Sequence, residues 1–134
     1  MPHLVVACGD RLCALPLGSI RRVVRALETH PLPGSAPELA GLAEFGGEPV
    51  PVLDLAMMVG AQTGPSPAFP VTVLAWVGPA HHHELVGLAV DQALEVVALA
   101  PHEVLRSGDG VLLGEVLVGG SPVAVVDLER LAGP

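Results

Sequence analysis

The sequence predicts an all-β chain made of two similar halves, and three observations carry that reading. The first is a repeated phrase. Gly46-Gly47-Glu48-Pro49-Val50-Pro51-Val52-Leu53-Asp54-Leu55 returns 73 positions later as Gly119-Gly120-Ser121-Pro122-Val123-Ala124-Val125-Val126-Asp127-Leu128. At the same offset Leu12 meets Leu85, Leu15 meets Leu88, Val23-Val24 meets Val96-Val97, Leu39 meets Leu112, and Gly41 meets Gly114. No gap is needed between Leu12–Gly60 and Leu85–Gly133, so the chain reads as a pseudo-symmetric pair. The second is a succession of short apolar runs between glycine and proline turn signals, roughly ten strands, which indicates small barrels or a sandwich. The third is an apolar excess, 51% of 134 residues, without any run approaching the ~18 residues of a spanning helix. Buried strands absorb that excess. Each half is too short to bury a generous core, so the halves are expected to pack together as one domain over residues 1–134. The expected subdomains run from about 1 to 66 and from 67 to 134, with strands free to exchange at the termini. A groove between two such halves is a favoured place for a partner or ligand.

Each element follows from local pattern. Leu4 to Cys8 is a β-branched apolar run, Gly9-Asp10 marks a turn, and Leu12 to Pro16 runs back. Ile20 to Ala26 reads as a strand, with Ile20, Arg22 and Val24 on one face and Arg21, Val23 and Arg25 on the other. His30 to Pro37 holds three prolines and a glycine and is a loop. Leu39 to Phe45 and Pro49 to Leu53 flank Gly46-Gly47, a strong hairpin signal. Asp54 then caps a single helical turn, Leu55 to Met58. Gly60 to Pro70 is the linker between copies. In the second copy the strands are Val71–Val77, Leu85–Val90, Leu94–Leu99, Val111–Val118 and Pro122–Val126. Gly78–His83 and Pro101–Gly110 are loops, and Asp127 caps a last short helix, Leu128–Leu131.

Charge and composition exclude several functions. Six basic and 14 acidic residues leave a net charge of −8, which opposes binding to a phosphate backbone. Two Phe, one Trp and no Tyr offer little for base stacking. The start, Met1-Pro2-His3-Leu4, lacks the basic stretch and apolar core of a secretory signal, so a cytoplasmic location is expected by default. Low charged content leaves an apolar surface that favours protein contacts. Cys8 and Cys13 lie on two strands of one hairpin and would sit directly opposite each other if Asp10-Arg11 were the loop. In a reducing cytosol they read as small core residues, not a disulfide.

Two constellations invite a chemical reading. Asp54 and Asp127 hold equivalent places in the two copies, which suggests an aspartate-dyad hydrolase. Each precedes Leu, however, not the small residues that let substrate approach, and helix capping explains both. His81-His82-His83, with Glu84, suggests a metal-binding module. Consecutive residues point apart, so a solvated loop is the simpler reading. No serine stands in a Gly-x-Ser-x-Gly elbow, and no phosphate loop is present. On chemistry alone the chain reads as a binding module without cofactor or catalytic residue.

One combination of segments resembles a known family. Leu12-Cys13-Ala14-Leu15-Pro16-Leu17, Ile20-Arg21-Arg22-Val23-Val24-Arg25, Pro31-Leu32-Pro33-Gly34, Gly41-Leu42 and Gly47-Glu48-Pro49-Val50-Pro51-Val52-Leu53-Asp54-Leu55 resemble, in order, the pattern of the CheW family. In the second copy, Gly87-Leu88-Ala89-Val90-Asp91 is similar to that family's Gly-Leu-x-Val-Asp. The resemblance implies two packed five-stranded SH3-like barrels. It also implies a non-enzymatic adaptor of bacterial chemosensory arrays, joining the regulatory domain of a CheA-type histidine kinase to the cytoplasmic tip of methyl-accepting chemoreceptors. By residue matching it places Ile20, Arg22, Gly41, Phe45 and Gly46 near the receptor-side region, with Leu88 and Val90 as further candidates. The chain departs from the family pattern at a telling pair. Where the pattern has the Glu of Val-x-Glu-Val this chain has Arg22, and where it has the Arg of Leu-Arg-Gly this chain has Gly46. Ala56 stands where an Arg often follows Asp-Leu. A divergent member with a retuned partner is what the resemblance implies.

Overall fold

A computed structural model of the chain describes residues 1–25, 27–62, 71–79, 81–106 and 110–131. Among these are ten strands: β1 (Pro2–Cys8), β2 (Arg11–Pro16), β3 (Ile20–Arg25), β4 (Leu39–Phe45), β5 (Glu48–Asp54), β6 (Val71–Val77), β7 (Glu84–Val90), β8 (Gln92–Ala98), β9 (Leu112–Val118) and β10 (Ser121–Val126). A four-residue helix, α1 (Leu55–Met58), follows β5. The all-β expectation holds, and the strands form two five-stranded sheets.

The two copies share their turn chemistry. Gly46 and Gly47 take φ values of 61° and 80°, and Gly119 and Gly120 take 57° and 85°. Two successive left-handed residues make the turn whose twist matches a hairpin, and glycine adopts them without a Cβ clash. The copies differ at one connection. Two residues join β1 to β2, whereas six residues, Gly78–His83, join β6 to β7. The histidine run lies in that longer loop. The 73-residue offset therefore begins after it and holds from β2 against β7 onward.

The sheets cut across the repeat. One has the order β8-β1-β2-β10-β9 and the other β3-β6-β7-β5-β4. Each thus takes the first two strands of one copy and the last three of the other. Parallel pairs join the contributions: β2 with β10 through Cys13–Ala124, and β5 with β7 through Leu53–Leu88. The division expected near residues 66 and 67 lies outside the described residues and is a division of the repeat, not of the sheets. The crossing follows each first hairpin. After Pro16, which lacks an N–H, a 3-10 turn at Leu17–Ser19 turns the chain from the first sheet to the second. After Val90, the single residue Asp91 turns it back.

Three cores result. The largest lies between the sheets, where Leu4, Val6, Cys8 and Leu15 meet Val73, Ala75, Val77, Val86 and Leu88, closed by Leu55 and Leu131. A second, with Ala14, Val116, Val123 and Val125, fills the inside of the first sheet. Ala43, Val52 and Ala89 fill the second sheet. The central strands β1, β6 and β7 are buried on both faces, as in two small barrels packed side by side.

Some local expectations hold and others change. The β1–β2 turn is Gly9-Asp10, as expected, and not Asp10-Arg11, so Cys8 faces Arg11 and Cys13 faces Val6. The cysteines are diagonal neighbours, both buried and free. β3 carries a bulge: Ile20 pairs with Ala75 and Arg22 with Leu74. The extra residue, Arg21, shifts the alternation, so Ile20 shares a face with Val23 and Arg25 instead of with Arg22 and Val24. The expected helix at Leu128–Leu131 is only a turn, closed by short bonds from Arg130 N to Asp127 O at 3.2 Å and Leu131 N to Leu128 O at 3.3 Å. Residues 63–70 of the expected linker lie outside the described residues.

Candidate partner-binding surface

The second sheet has β3 at one edge and β4 at the other. Curling brings these edges toward each other. Across the seam the Arg21 guanidinium stands 5.9 Å from the centroid of the Phe45 ring. The positions that carry opposite charges in the family pattern, occupied here by Arg22 and Gly46, are the next residues along the chain, Arg22 on β3 and Gly46 in the turn after β4. A cation–π contact thus spans the seam where a salt bridge is absent. Arg22 and Arg25 are exposed. Among the described residues the ion pairs are Arg11–Glu115, His30–Glu28 and Arg130–Asp127, so none neutralises β3. Val23, 41% exposed, lies between the arginines.

The other expected site residues divide. Ile20 is half-buried and packs against the central core. Phe45 is half-buried beneath Arg21, and Gly46 is exposed at the hairpin turn. Gly41 is buried, and a Cβ there would overlap the His30 carbonyl. Leu88 and Val90 are core residues, 0% and 2% exposed. These three face the interior, so none offers a side chain to a partner. The strand alternation was legible, but a strand buried on both faces gives no polar alternation to show that β7 is central. Sequence matching did not single out Arg21, Val23 and Arg25, which the structure leaves exposed on the same edge strand, although the clustering Arg21-Arg22-x-x-Arg25 was visible.

The pseudo-symmetry exposes a contrast. β8 is the edge strand of the first sheet and the equivalent of β3. Where β3 has Arg21, Arg22 and Val23, β8 has Leu94, Glu95 and Val96. Leu94 and Val96 are exposed, as is Leu117 on β9, which stands where β4 has Glu44. One edge is cationic with an apolar centre, and its counterpart is largely apolar.

The chemical candidates have structural partners. Asp54 Oδ1 accepts from Met57 N at 3.3 Å and caps α1. Asp127 Oδ1 accepts from Glu129 N at 3.1 Å, and Oδ2 pairs with Arg130 Nε at 3.2 Å. The two aspartates end strands of different sheets, and each carboxylate serves its own turn. His81, His82 and His83 are exposed in the β6–β7 loop. No group of three or more metal-ligating side chains converges among the described residues. A hydrogen bond to Cys13, reinforced by burial, pushes the Cys8 thiol well above its ordinary range. The described residues contain no helix long and apolar enough to cross a membrane.

Comparison with known proteins agrees with this architecture. Residues 2–133 match the family model for the CheW-like domain. The crystal structure of the scaffolding protein TtCheW from Thermoanaerobacter tengcongensis superposes with a TM-score of 0.80, covering 93% of this chain and 87% of that one at 15% identity. At that identity the likeness concerns the fold. No curated protein sequence matches. With the family model spanning nearly every residue and the fold shared, the chain belongs to the CheW-like family of chemotaxis scaffold proteins.

Proposed function

We propose that the protein is a non-catalytic adaptor that holds a CheA-type histidine kinase, through its regulatory domain, against the cytoplasmic tip of methyl-accepting chemoreceptors. The carrying observation is the pair of equivalent sheet edges with different chemistry: β3 with Arg21, Arg22 and Arg25, and β8 with Leu94 and Val96. An adaptor must recognise two dissimilar partners at once. A duplicated fold provides two like platforms that can diverge separately. Exposed strand edges and apolar patches are where proteins dock. The receptor-side resemblance at Arg22, Phe45 and Gly46 supports the β3–β4 seam as the receptor side, which leaves the apolar β8 end for the kinase. Capping accounts for Asp54 and Asp127, which leaves the dyad without a catalytic role. The adaptor works at the cytoplasmic face of receptor arrays.

The test is a binding experiment with the full chain, the kinase regulatory domain and receptor hairpin fragments from the same organism. Wild type is expected to bind each alone and both together. Leu94→Asp/Val96→Asp is expected to lose the kinase and keep the receptor. Failure of wild type to bind either partner overturns the reading.

A further inference from the structure

Three of the chain's six basic residues stand within six positions of one edge strand, in a protein of net charge −8. That concentration is not used internally. Arg22 and Arg25 have no ion-pair partner among the described residues, and Arg21 meets only the face of Phe45. β3 pairs with β6 alone within its sheet. Beside it a groove of about 390 Å³ has a mixed lining, with Arg25, Asp91 and Gln92 among Val23, Val71 and Ala93. Asp91, the acid in that groove, already accepts from Gly9 N at 2.7 Å. The edge is therefore cationic, with Val23 exposed among the arginines. Against a net charge of −8, this cluster of three arginines favours a negatively charged partner. Guanidinium groups favour carboxylates in paired geometry, and unpaired ones on an edge are open to them.

We infer that β3 recognises a helical receptor segment that carries Asp or Glu against its arginines. The inference rests on the adaptor reading and specifies the partner's chemistry: the receptor of this chain carries acid where a receptor for the ordinary family pattern would face Glu at the position of Arg22. Val23 and Arg25 meet the segment on the face beside the groove, Arg22 meets its acids from the opposite face of the edge strand, and Arg21 holds the seam.

The experiment titrates the full chain with two receptor hairpin fragments from the same organism, one with its acidic flank intact and one with those acids changed to Lys. The protein variants are Arg22→Glu/Arg25→Glu and, as a control for net charge, Arg106→Glu. Thermal melts confirm that each remains folded. Wild type is expected to prefer the acidic hairpin, with affinity falling as salt rises. The double reversal is expected to weaken that binding by about a hundredfold and to favour the Lys hairpin instead, because like charges brought together at an interface are strongly unfavourable. Arg106→Glu is expected to bind as wild type does. Wild type and the double reversal binding the acidic hairpin equally would overturn the inference and leave the adaptor reading intact. Loss of kinase binding with retained receptor binding would also overturn it, by assigning β3 to the kinase. Preference of wild type for anionic vesicles of phosphatidylserine over either hairpin would overturn it in favour of a lipid. Wild type binding neither hairpin nor the kinase domain would remove the adaptor reading and this inference together.

Discussion

The Arg21 guanidinium stands 5.9 Å from the Phe45 ring centroid and so links β3 to β4, the two edges of one five-stranded sheet. Arg21 is the extra residue of the β3 bulge, so Ile20 and Arg22 lie on opposite faces to either side of it. An exposed cation–π contact is worth about 0.5–1 kcal/mol. Arg21→Ala and Phe45→Ala should therefore couple by that amount in a double-mutant cycle read by urea unfolding. Strictly additive losses would mean that the seam is held by other contacts.

Gly41 and Gly114 answer to the same constraint in the two copies. A Cβ at Gly41 would overlap the His30 carbonyl, and one at Gly114 the Leu105 carbonyl. Those loop residues are locked by paired bonds, His30 with Leu42 at 2.7 and 2.9 Å, and Leu105 with Glu115 at 2.8 and 3.0 Å. Gly41→Ala and Gly114→Ala should each destabilise the fold by about 2–4 kcal/mol, the scale of overpacking and broken bridges. Gly41→Asp consequently reports on folding and not on partner contact. A melting temperature unchanged by Gly41→Ala would show that the loop can retreat.

Arg11 ties three elements. Its Nη1 donates to Val59 O at 2.7 Å beyond α1, and its Nη2 lies 3.6 Å from Glu115 Oε1 on β9. The charged hydrogen bond should dominate, because the Glu115 partner is half exposed. Arg11→Ala should lower stability by about 1.5–3 kcal/mol in chemical denaturation, whereas Glu115→Gln should lower it by less than about 1 kcal/mol. Equal losses would contradict this division.

Cys8 and Cys13 are fully buried, and their thiols bond to each other. Thiolate is the reactive form, and Cys8 is held in the thiol form by that bond and by burial. The diagonal register also sets the backbones roughly 7–8 Å apart, too far for a disulfide without strand slippage. Native protein should resist thiol reagents at neutral pH and form no internal disulfide under mild oxidant, while urea-unfolded protein should react at both positions. Rapid native labelling would show that the β1–β2 hairpin opens.

The exchange of strands makes the two copies interdependent. A fragment ending beyond α1 would hold β1 and β2 of one sheet and β3, β4 and β5 of the other, with no complete sheet of its own. Neither half alone should yield a folded monomer, and mixing the halves should restore the far-ultraviolet spectrum of the intact chain. A folded, monomeric half-chain would contradict the observed pairing.

Local chemistry was written plainly in the sequence. Gly46-Gly47 and Gly119-Gly120 announce hairpins because only glycine takes two left-handed positions without cost. Asp54 announces a cap because its carboxylate can reach the amide three residues on. The repeat itself made two-fold pseudo-symmetry visible, and the resemblance built on the same residues made the family legible. Tertiary structure alone decided which sheet each strand joins, because pairing partners such as Leu53 and Leu88 lie far apart in sequence and carry no local mark. It decided that Leu88, Val90 and Gly41 face inward, because a strand covered on both faces is apolar on both. It also decided that Arg21 reaches across to Phe45 while Arg22 and Arg25 remain exposed, and, through one extra residue in β3, that Arg22 and Val23 do not have the face partners that simple alternation gives them. A bulge moves every side chain on one side of it to the opposite face relative to the other, and only the register with β6 reveals where it falls.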